Sequence, residues 1–144
     1  MVRISRFPLD QMIAHAKREA PYEGCGLLAG EGSLVTAFYE IKNLPGNDPR
    51  IIELKIPEDR TVRYMMDPAE QFQAIRSMRA RGLAMMGIYH SHPHSPAIPS
   101  ATDIRLAFYP EVFYLIVSLE KRSPDFRAFF IVDKKVTEEK IEII

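Results

Sequence analysis

The chain has 144 residues, near the commonest size of one domain, and its 47% apolar and 26% charged content is that of an ordinary soluble globular protein rather than a disordered one. Its 19 basic and 19 acidic residues cancel, which leaves no electrostatic case for nucleic acid or an anionic membrane surface. No apolar run approaches the ~18–20 residues needed to span a bilayer, and the single cysteine, Cys25, excludes an internal disulfide.

The amino terminus, Met1-Val2-Arg3-Ile4-Ser5-Arg6, lacks the apolar core of a signal peptide, so a reducing cytoplasm is the expected compartment. Leu9, Met12, Ile13 and Ala16 then recur at helical spacing. Pro8 suits the first turn of that helix and Pro21 ends it. His15 lies off the apolar stripe and reads as a solvated helix residue. Residues 25–29 and 33–41 read as two strands joined by a turn at Gly30-Glu31-Gly32. Cys25 sits beside Leu27 and Leu28, which favours a buried, inert thiol over a nucleophile. Residues 43–49 are rich in turn formers, and residues 51–56 resume an extended pattern.

Asp67-Pro68-Ala69-Glu70 is a helix start, with Asp67 as cap, Pro68 in the first turn and Glu70 placed for a capping box. Phe72, Ile75 and Met78 follow, Met78 as core filling, and Gly82 stops the helix. Residues 83–89 form an apolar strand leading into His90. Ser100-Ala101-Thr102-Asp103 opens a short helix with Ser100 as N-cap. Residues 113–119 and 126–132 read as two more strands, a hairpin across residues 121–125. Residues 134–144 fit no single pattern, although the charges of residues 137–140 suit a solvated face. Strands mixed with helices, with no repeat and no linker, predict one α/β domain over residues 1–144.

The chemistry concentrates at the end of the strand over residues 83–89. In a strand, alternate side chains share a face, so His90 and His92 point the same way and can grip one ion. Asp103 adds a hard oxygen. Two histidines and one carboxylate leave a fourth tetrahedral position for water, the arrangement of a catalytic zinc site. The pair alone is equally compatible with surface histidines at a strand end. Ser91, between them, points to the opposite face and reads as structural. His94 is an extra loop histidine. Pro93, Pro96 and Pro99 stiffen the loop that carries the chain to Asp103.

The contiguous block from His90-Ser91-His92-Pro93 to Ser100-Ala101-Thr102-Asp103 resembles the signature of the JAMM (MPN+) metalloproteases. A second block, Glu23-Gly24-Cys25-Gly26-Leu27-Leu28-Ala29-Gly30, is similar to the same family's glutamate and the strand that follows it. On composition alone Glu23 is a solvated loop carboxylate; the resemblance implies that it is the catalytic acid/base. It also implies a zinc ion held by His90, His92 and Asp103, and a Ser100 hydroxyl donated toward the tetrahedral oxyanion. The implied fold is a mixed β-sheet flanked by helices, the cytidine-deaminase-like architecture of JAMM/MPN domains. The Pro-Cys-x-x-Cys signature of the zinc deaminases is absent. Residues 43–66 carry no specific likeness.

Family members that cut ubiquitin chains carry a long insertion after the metal-site helix, whereas here only residues 104–111 separate Asp103 from Val112. Compact members of this kind resemble prokaryotic enzymes that act at the C-terminal Gly-Gly tail of ubiquitin-like sulfur-carrier proteins, trimming residues beyond it or releasing a conjugated amino acid such as cysteine. The resemblance therefore implies a zinc peptidase or isopeptidase with a sulfur carrier as partner. Its alternatives are a general small-peptide or isopeptide hydrolase and a non-catalytic, metal-dependent interaction module. An extended tail can add to an exposed strand edge, and the sequence does not say which.

Overall fold

The computed structural model describes residues 1–144 and orders them as β1 (Val2–Ile4), α1 (Arg6–Glu19), β2 (Cys25–Glu31), β3 (Leu34–Ile41), α2 (Pro49–Glu53), α3 (Pro68–Ala80), β4 (Ala84–His92), α4 (Ala101–Arg105), β5 (Phe113–Ser118), β6 (Asp125–Val132), β7 (Lys135–Glu139) and β8 (Ile141–Ile143). The eight strands form one mixed sheet in the order β7-β6-β5-β4-β2-β3-β1-β8. β4 runs antiparallel to β2 and parallel to β5, the parallel step being the crossover that carries α4. No helix is long and apolar enough to cross a membrane.

The two-residue period of the strands divides the core between two faces. Cys25, Leu27, Ile88, Tyr114 and Ile116 pack with Ala74 and Met78 of α3 on one. Leu28, Tyr89, Leu115 and Val117 pack with Leu9, Met12 and Ala16 of α1 on the other. A helix on each face explains why β5 is buried at all six positions and reads as a continuous apolar run.

α1 also buries a residue expected in water. His15 is only 3% exposed. Its Nδ1 lies 3.1 Å from the Tyr89 hydroxyl, and its ring meets Phe38 and Tyr89 edge-on. The apolar stripe of α1 is thus wider than its aliphatic residues suggest, because the sheet beneath offers an aromatic socket with a hydroxyl in it.

Residues 49–53, within the stretch expected to be loop and then extended, form α2. Asp48 accepts from the Arg50 N–H at 2.9 Å and Pro49 occupies the first turn, a complete local start signal. Ile51 joins Leu44 and Ile56 in a small cluster of its own. At α3, Asp67 caps as expected, accepting from the Ala69 N–H. Glu70 does not close the box; its carboxylate accepts from the Lys42 N–H at 2.8 Å and so ties the helix to the end of β3. Gly82, at φ 71°, supplies the left-handed residue that ends the helix.

The carboxy-terminal residues resolve into two strands. Asp133 and Lys134 both have positive φ, 50° and 64°, and turn β6 tightly into β7. Only Lys140 separates β7 from β8, yet these strands lie at opposite ends of the sheet order. One residue spans less than ~4 Å, so the two edges of the sheet meet there. β8 lies parallel to β1, pairing Val2 with Ile141 and Ile4 with Ile143. The sheet therefore curls until its two ends approach, and β8 covers the free edge of β1 while β7 and β8 remain the edge strands.

Candidate metal centre

Alternation along β4 sets His90 and His92 on the α3 face, while Tyr89 and Ser91 turn toward α1. His90 is held in the middle of the sheet, paired with Cys25 on one side and Ile116 on the other. Asp103 comes from the first turn of α4. The helix is fixed by a reciprocal box, in which the Asp103 N–H donates to Ser100 Oγ at 3.0 Å and the Ser100 N–H donates to Asp103 Oδ2 at 2.9 Å. The result is a tight triangle. Asp103 Oδ2 lies 3.0 Å from His90 Nε2 and 3.1 Å from His92 Nε2, and the two nitrogens are 3.1 Å apart. All three residues are buried.

Glu23 completes the group. It is 5% exposed, and one ligand atom from each of Glu23, His90, His92 and Asp103 lies within 4.8 Å of the others. The carboxylate stands off from the triangle, and its Oε1 has no protein partner. Its loop is clipped to β4 by Ser91, whose Oγ accepts from the Gly24 N–H at 2.7 Å while its own N–H donates to the Gly24 carbonyl. A side chain at residue 24 would meet His15 Nδ1 at 2.9 Å, so glycine is required for that approach. Ser91, read as structural, thus shapes the centre from the far face of the sheet.

The triangle fits a divalent ion. The His92 Nδ1–H donates to the Pro96 carbonyl at 2.7 Å, which leaves Nε2 with a lone pair aimed at a carboxylate oxygen. Two such acceptors at 3.1 Å repel unless a positive charge lies between them. The edges of 3.0–3.1 Å are close to the ~3.3 Å edge of a tetrahedron of ligands about ~2.0 Å from zinc. The donor set, two imidazoles and a carboxylate, suits zinc among common ions. His90 Nδ1 is buried without a protein partner; its ring is held instead by Tyr64, stacked at 4.4 Å between centroids and 23° between planes.

Electrostatics express the same demand for positive charge. Burial lowers the proton affinity of both imidazoles. In His90 that effect wins and the pKa is lowered; in His92 the hydrogen bonds to Asp103 and Pro96 outweigh it and the pKa is raised. Burial opposes the charge of Asp103 too, but the facing histidines hold its carboxyl well below the usual carboxylate range. Burial pushes Glu23 up to about 8, a shift that the neighbouring His92 only partly offsets. Beside Asp103 an apolar pocket opens between Tyr64, Ile88, Leu106 and Tyr114.

The structure therefore brings Glu23, His90, His92 and Asp103 into one cluster, with Ser100 at its rim through α4. His94 is exposed and outside it. Cys25 is buried, and burial holds its thiol well above the ordinary range. The residues that sequence reasoning passed over are Tyr64, Asn43 and Arg60. The Asn43 side-chain amide donates to the Glu23 carbonyl at 2.9 Å, and the Arg60 carbonyl accepts from the Glu23 N–H at 2.8 Å. Asn43 lies among turn formers, where an asparagine needs no further explanation, so no local signal marked it.

Comparisons with known proteins agree in kind. The model for prokaryotic homologues of the JAB domain matches residues 8–132. The CysO-cysteine peptidase of Mycobacterium tuberculosis is 35% identical, the match covering 94% of this chain and 86% of that protein. The desampylase of Haloferax volcanii is also 35% identical, over 78% of this chain and 77% of its own. Protein DSY2949 from Desulfitobacterium hafniense, whose solution structure is known, shares 37% identity and superposes with a TM-score of 0.83, over 100% of this chain and 93% of that one.

Proposed function

The chain belongs to the prokaryotic JAB-domain family, and from that premise we propose a zinc-dependent peptidase that cuts directly after the C-terminal Gly-Gly of a ubiquitin-like sulfur-carrier protein. The observation that carries the proposal is the buried triangle of two imidazole nitrogens and a carboxylate oxygen, with the unpartnered Glu23 Oε1 beside it. Relatives named for the release of cysteine from CysO and for desampylation support the substrate class. We place the whole activity in one domain, residues 1–144, working in a reducing cytoplasm.

In this reading His90, His92 and Asp103 hold zinc. When bound there, the ion would supply Lewis acidity of the kind that lowers the pKa of water from about 15.7 toward ~7 and polarises a carbonyl. Glu23 Oε1 accepts the proton of the attacking water as the new C–O bond forms. It returns that proton to the amide nitrogen as the C–N bond breaks, so the products are a free carboxylate on the final glycine and a free amine. In the metal-free centre burial raises this carboxyl to about 8, and the positive charge of a bound ion would draw it back down, toward a group able to take and return a proton near neutral pH. Ser100 Oγ accepts the Asp103 N–H, which leaves the hydroxyl proton to donate to the oxyanion; cap and catalyst use opposite sides of one oxygen. Glycines on the carrier suit a narrow approach, since a backbone without side chains can lie close to a buried centre.

Short chain between α4 and β5 offers no arm for a second folded ubiquitin. Zinc-loaded protein incubated with small carriers whose Gly-Gly tails are extended by an amino acid or a peptide should release the extension, read by mass spectrometry as a carrier ending at its second glycine. Cleavage of polyubiquitin with no cleavage of any extended carrier would overturn the substrate assignment and leave the hydrolytic chemistry standing. Cleavage of unrelated short peptides at equal rates would favour a general peptidase.

A further inference from the structure

A fully buried guanidinium lies at the centre of residues 43–66, the stretch that leaves the sheet after β3 and returns at α3. Arg63 is 0% exposed, and its partners are neutral oxygens rather than a carboxylate. Nε donates to the Pro57 carbonyl at 2.7 Å, Nη1 to the Leu44 carbonyl and Asn43 Oδ1, both at 2.7 Å, and Nη2 to the Glu58 carbonyl at 2.9 Å. Asn43 is the other half of the knot. Its Oδ1 accepts from the Met65 N–H as well as from Arg63, and its Nδ2 donates to the Arg63 carbonyl at 3.0 Å and to the Glu23 carbonyl at 2.9 Å. Every hydrogen-bonding place on that amide is used.

Burying a charge without a counter-ion is costly, and closing a surface loop does not require it. What the knot achieves lies at its two ends. One end is the peptide of Glu23, whose carbonyl is held by Asn43 and whose N–H is held by the Arg60 carbonyl; both groups come from this stretch and neither from the sheet. The other end is Tyr64, next to Arg63 in the chain, stacked on His90. We propose that Asn43 and Arg63 are a positioning pair, locking the backbone of Glu23 and the ring of Tyr64 in register so that Oε1 faces the reacting water. The catalytic consequence rests on the reading of Glu23 as proton carrier. The locking itself does not.

Asn43→Asp keeps the size of the side chain and both contacts accepted at Oδ1 and replaces the two N–H donations by an oxygen facing carbonyls; it also gives Arg63 a counter-ion, so a loss seen in spite of that pairing comes from the missing donations. On a Gly-Gly-extended carrier, kcat should fall on the order of 100-fold, the usual result of misplacing a reacting group by about 1 Å. KM should move by no more than about 3-fold and zinc content should not change, because neither substrate contacts nor ligands are touched. In a Glu23→Gln background the same substitution should add no further loss, since two changes acting through one group are not additive. A second readout needs no turnover. In zinc-free protein, hydrogen exchange at the Glu23 amide should quicken in Asn43→Asp, while the Ile116 amide in β5 keeps its protection. Arg63→Lys, which retains the charge but cannot span four acceptors, should quicken exchange at Glu23 and Met65 together.

Two results would overturn the pairing: unchanged exchange at Glu23 in both variants, or an equal loss of kcat when Asn43→Asp is made in the Glu23→Gln protein. Should the wild type cleave no carrier, the functional reading falls, and the exchange rates still decide whether Asn43 and Arg63 lock Glu23.

Discussion

A carboxylate that carries protons must be dry enough to want them and near enough to pass them on. Glu23, at 5% exposure and with burial lifting its pKa to about 8 in the metal-free centre, is the residue proposed for that task. Glu23→Gln is nearly isosteric but cannot accept the water's proton. It should keep the fold and the zinc and lose ~100-fold or more in kcat, the usual size of a general acid–base effect. Activity within a few-fold of wild type would remove Glu23 as the base, and loss of zinc would make it a ligand instead. A second buried titratable group lies on the far face. Burial lowers the pKa of His15 below its ordinary 6.5, against the opposing pull of Glu40 and Glu19, with Arg18 adding to the lowering. The folded state then binds fewer protons there than the unfolded chain, so this contribution is present above 6.5 and is lost as pH falls toward the folded value. Urea titrations of wild type and His15→Gln at pH 7.5 and pH 5 should therefore differ less at the lower pH. Any effect of the metal ligands is common to both proteins. A difference that grows on acidification would contradict the sign.

One of the two five-residue helices does the most at the level of elements. α4 has five residues, too few to be stable alone, and it exists because Ser100 and Asp103 satisfy each other's backbone N–H groups. That box also aims Asp103 Oδ2 at both histidines. Capping and ligation share one oxygen, the Ser100 N–H and both imidazole nitrogens all lying within 3.1 Å of Asp103 Oδ2. Ser100→Ala should cost about 1 kcal/mol of stability as a lost cap. If the hydroxyl also serves the oxyanion, kcat should fall 100–1000-fold, well beyond what a frayed cap explains. Thermal melts and saturation kinetics on the same zinc-loaded sample separate the two. Ser100→Thr, which keeps cap and donor, should restore most of both.

For the molecule as a whole, metal and fold are coupled. The triangle joins β4, at the centre of the sheet, to α4, on the crossover that feeds β5, so an ion there ties two elements together that the unfolded chain holds apart. Binding only the folded state, zinc at 100 times its Kd should add about 2.7 kcal/mol. A chelator should accordingly lower the melting temperature of the wild type by roughly 5–15 °C. It should leave His90→Ala/His92→Ala unmoved, and elemental analysis should find no zinc in that variant. A wild type that holds no more zinc than the double variant would defeat the ligand assignment. The addition of β8 works in the same direction, since it leaves β1 paired on both sides, by β3 and β8.

What the sequence determined by itself is whatever depends on neighbours in the chain. The period of two put His90 and His92 on one face. The caps at Asp67 and Ser100 and the stop at Gly82 follow from single side chains and one left-handed residue, and the two motif blocks marked the family. The same local logic was available for α2, where Asp48 and Pro49 announce a helix that the apolar run after them disguised. The turn at Asp133 and Lys134 has the dihedrals of a tight hairpin without the glycine or asparagine that usually signals it, so β7 went unread. Only the tertiary structure decided the rest. His15 is buried because the sheet offers it an aromatic socket. β7 and β8 meet because the sheet curls. Asn43 and Arg63 act on residues 20 positions or more away, on Glu23 from Asn43 and on Asn43 from Arg63. Periodicity and capping report the backbone's own preferences, whereas a buried polar group's role is set by the partner that folding places opposite it, and no spacing in the chain records that partner.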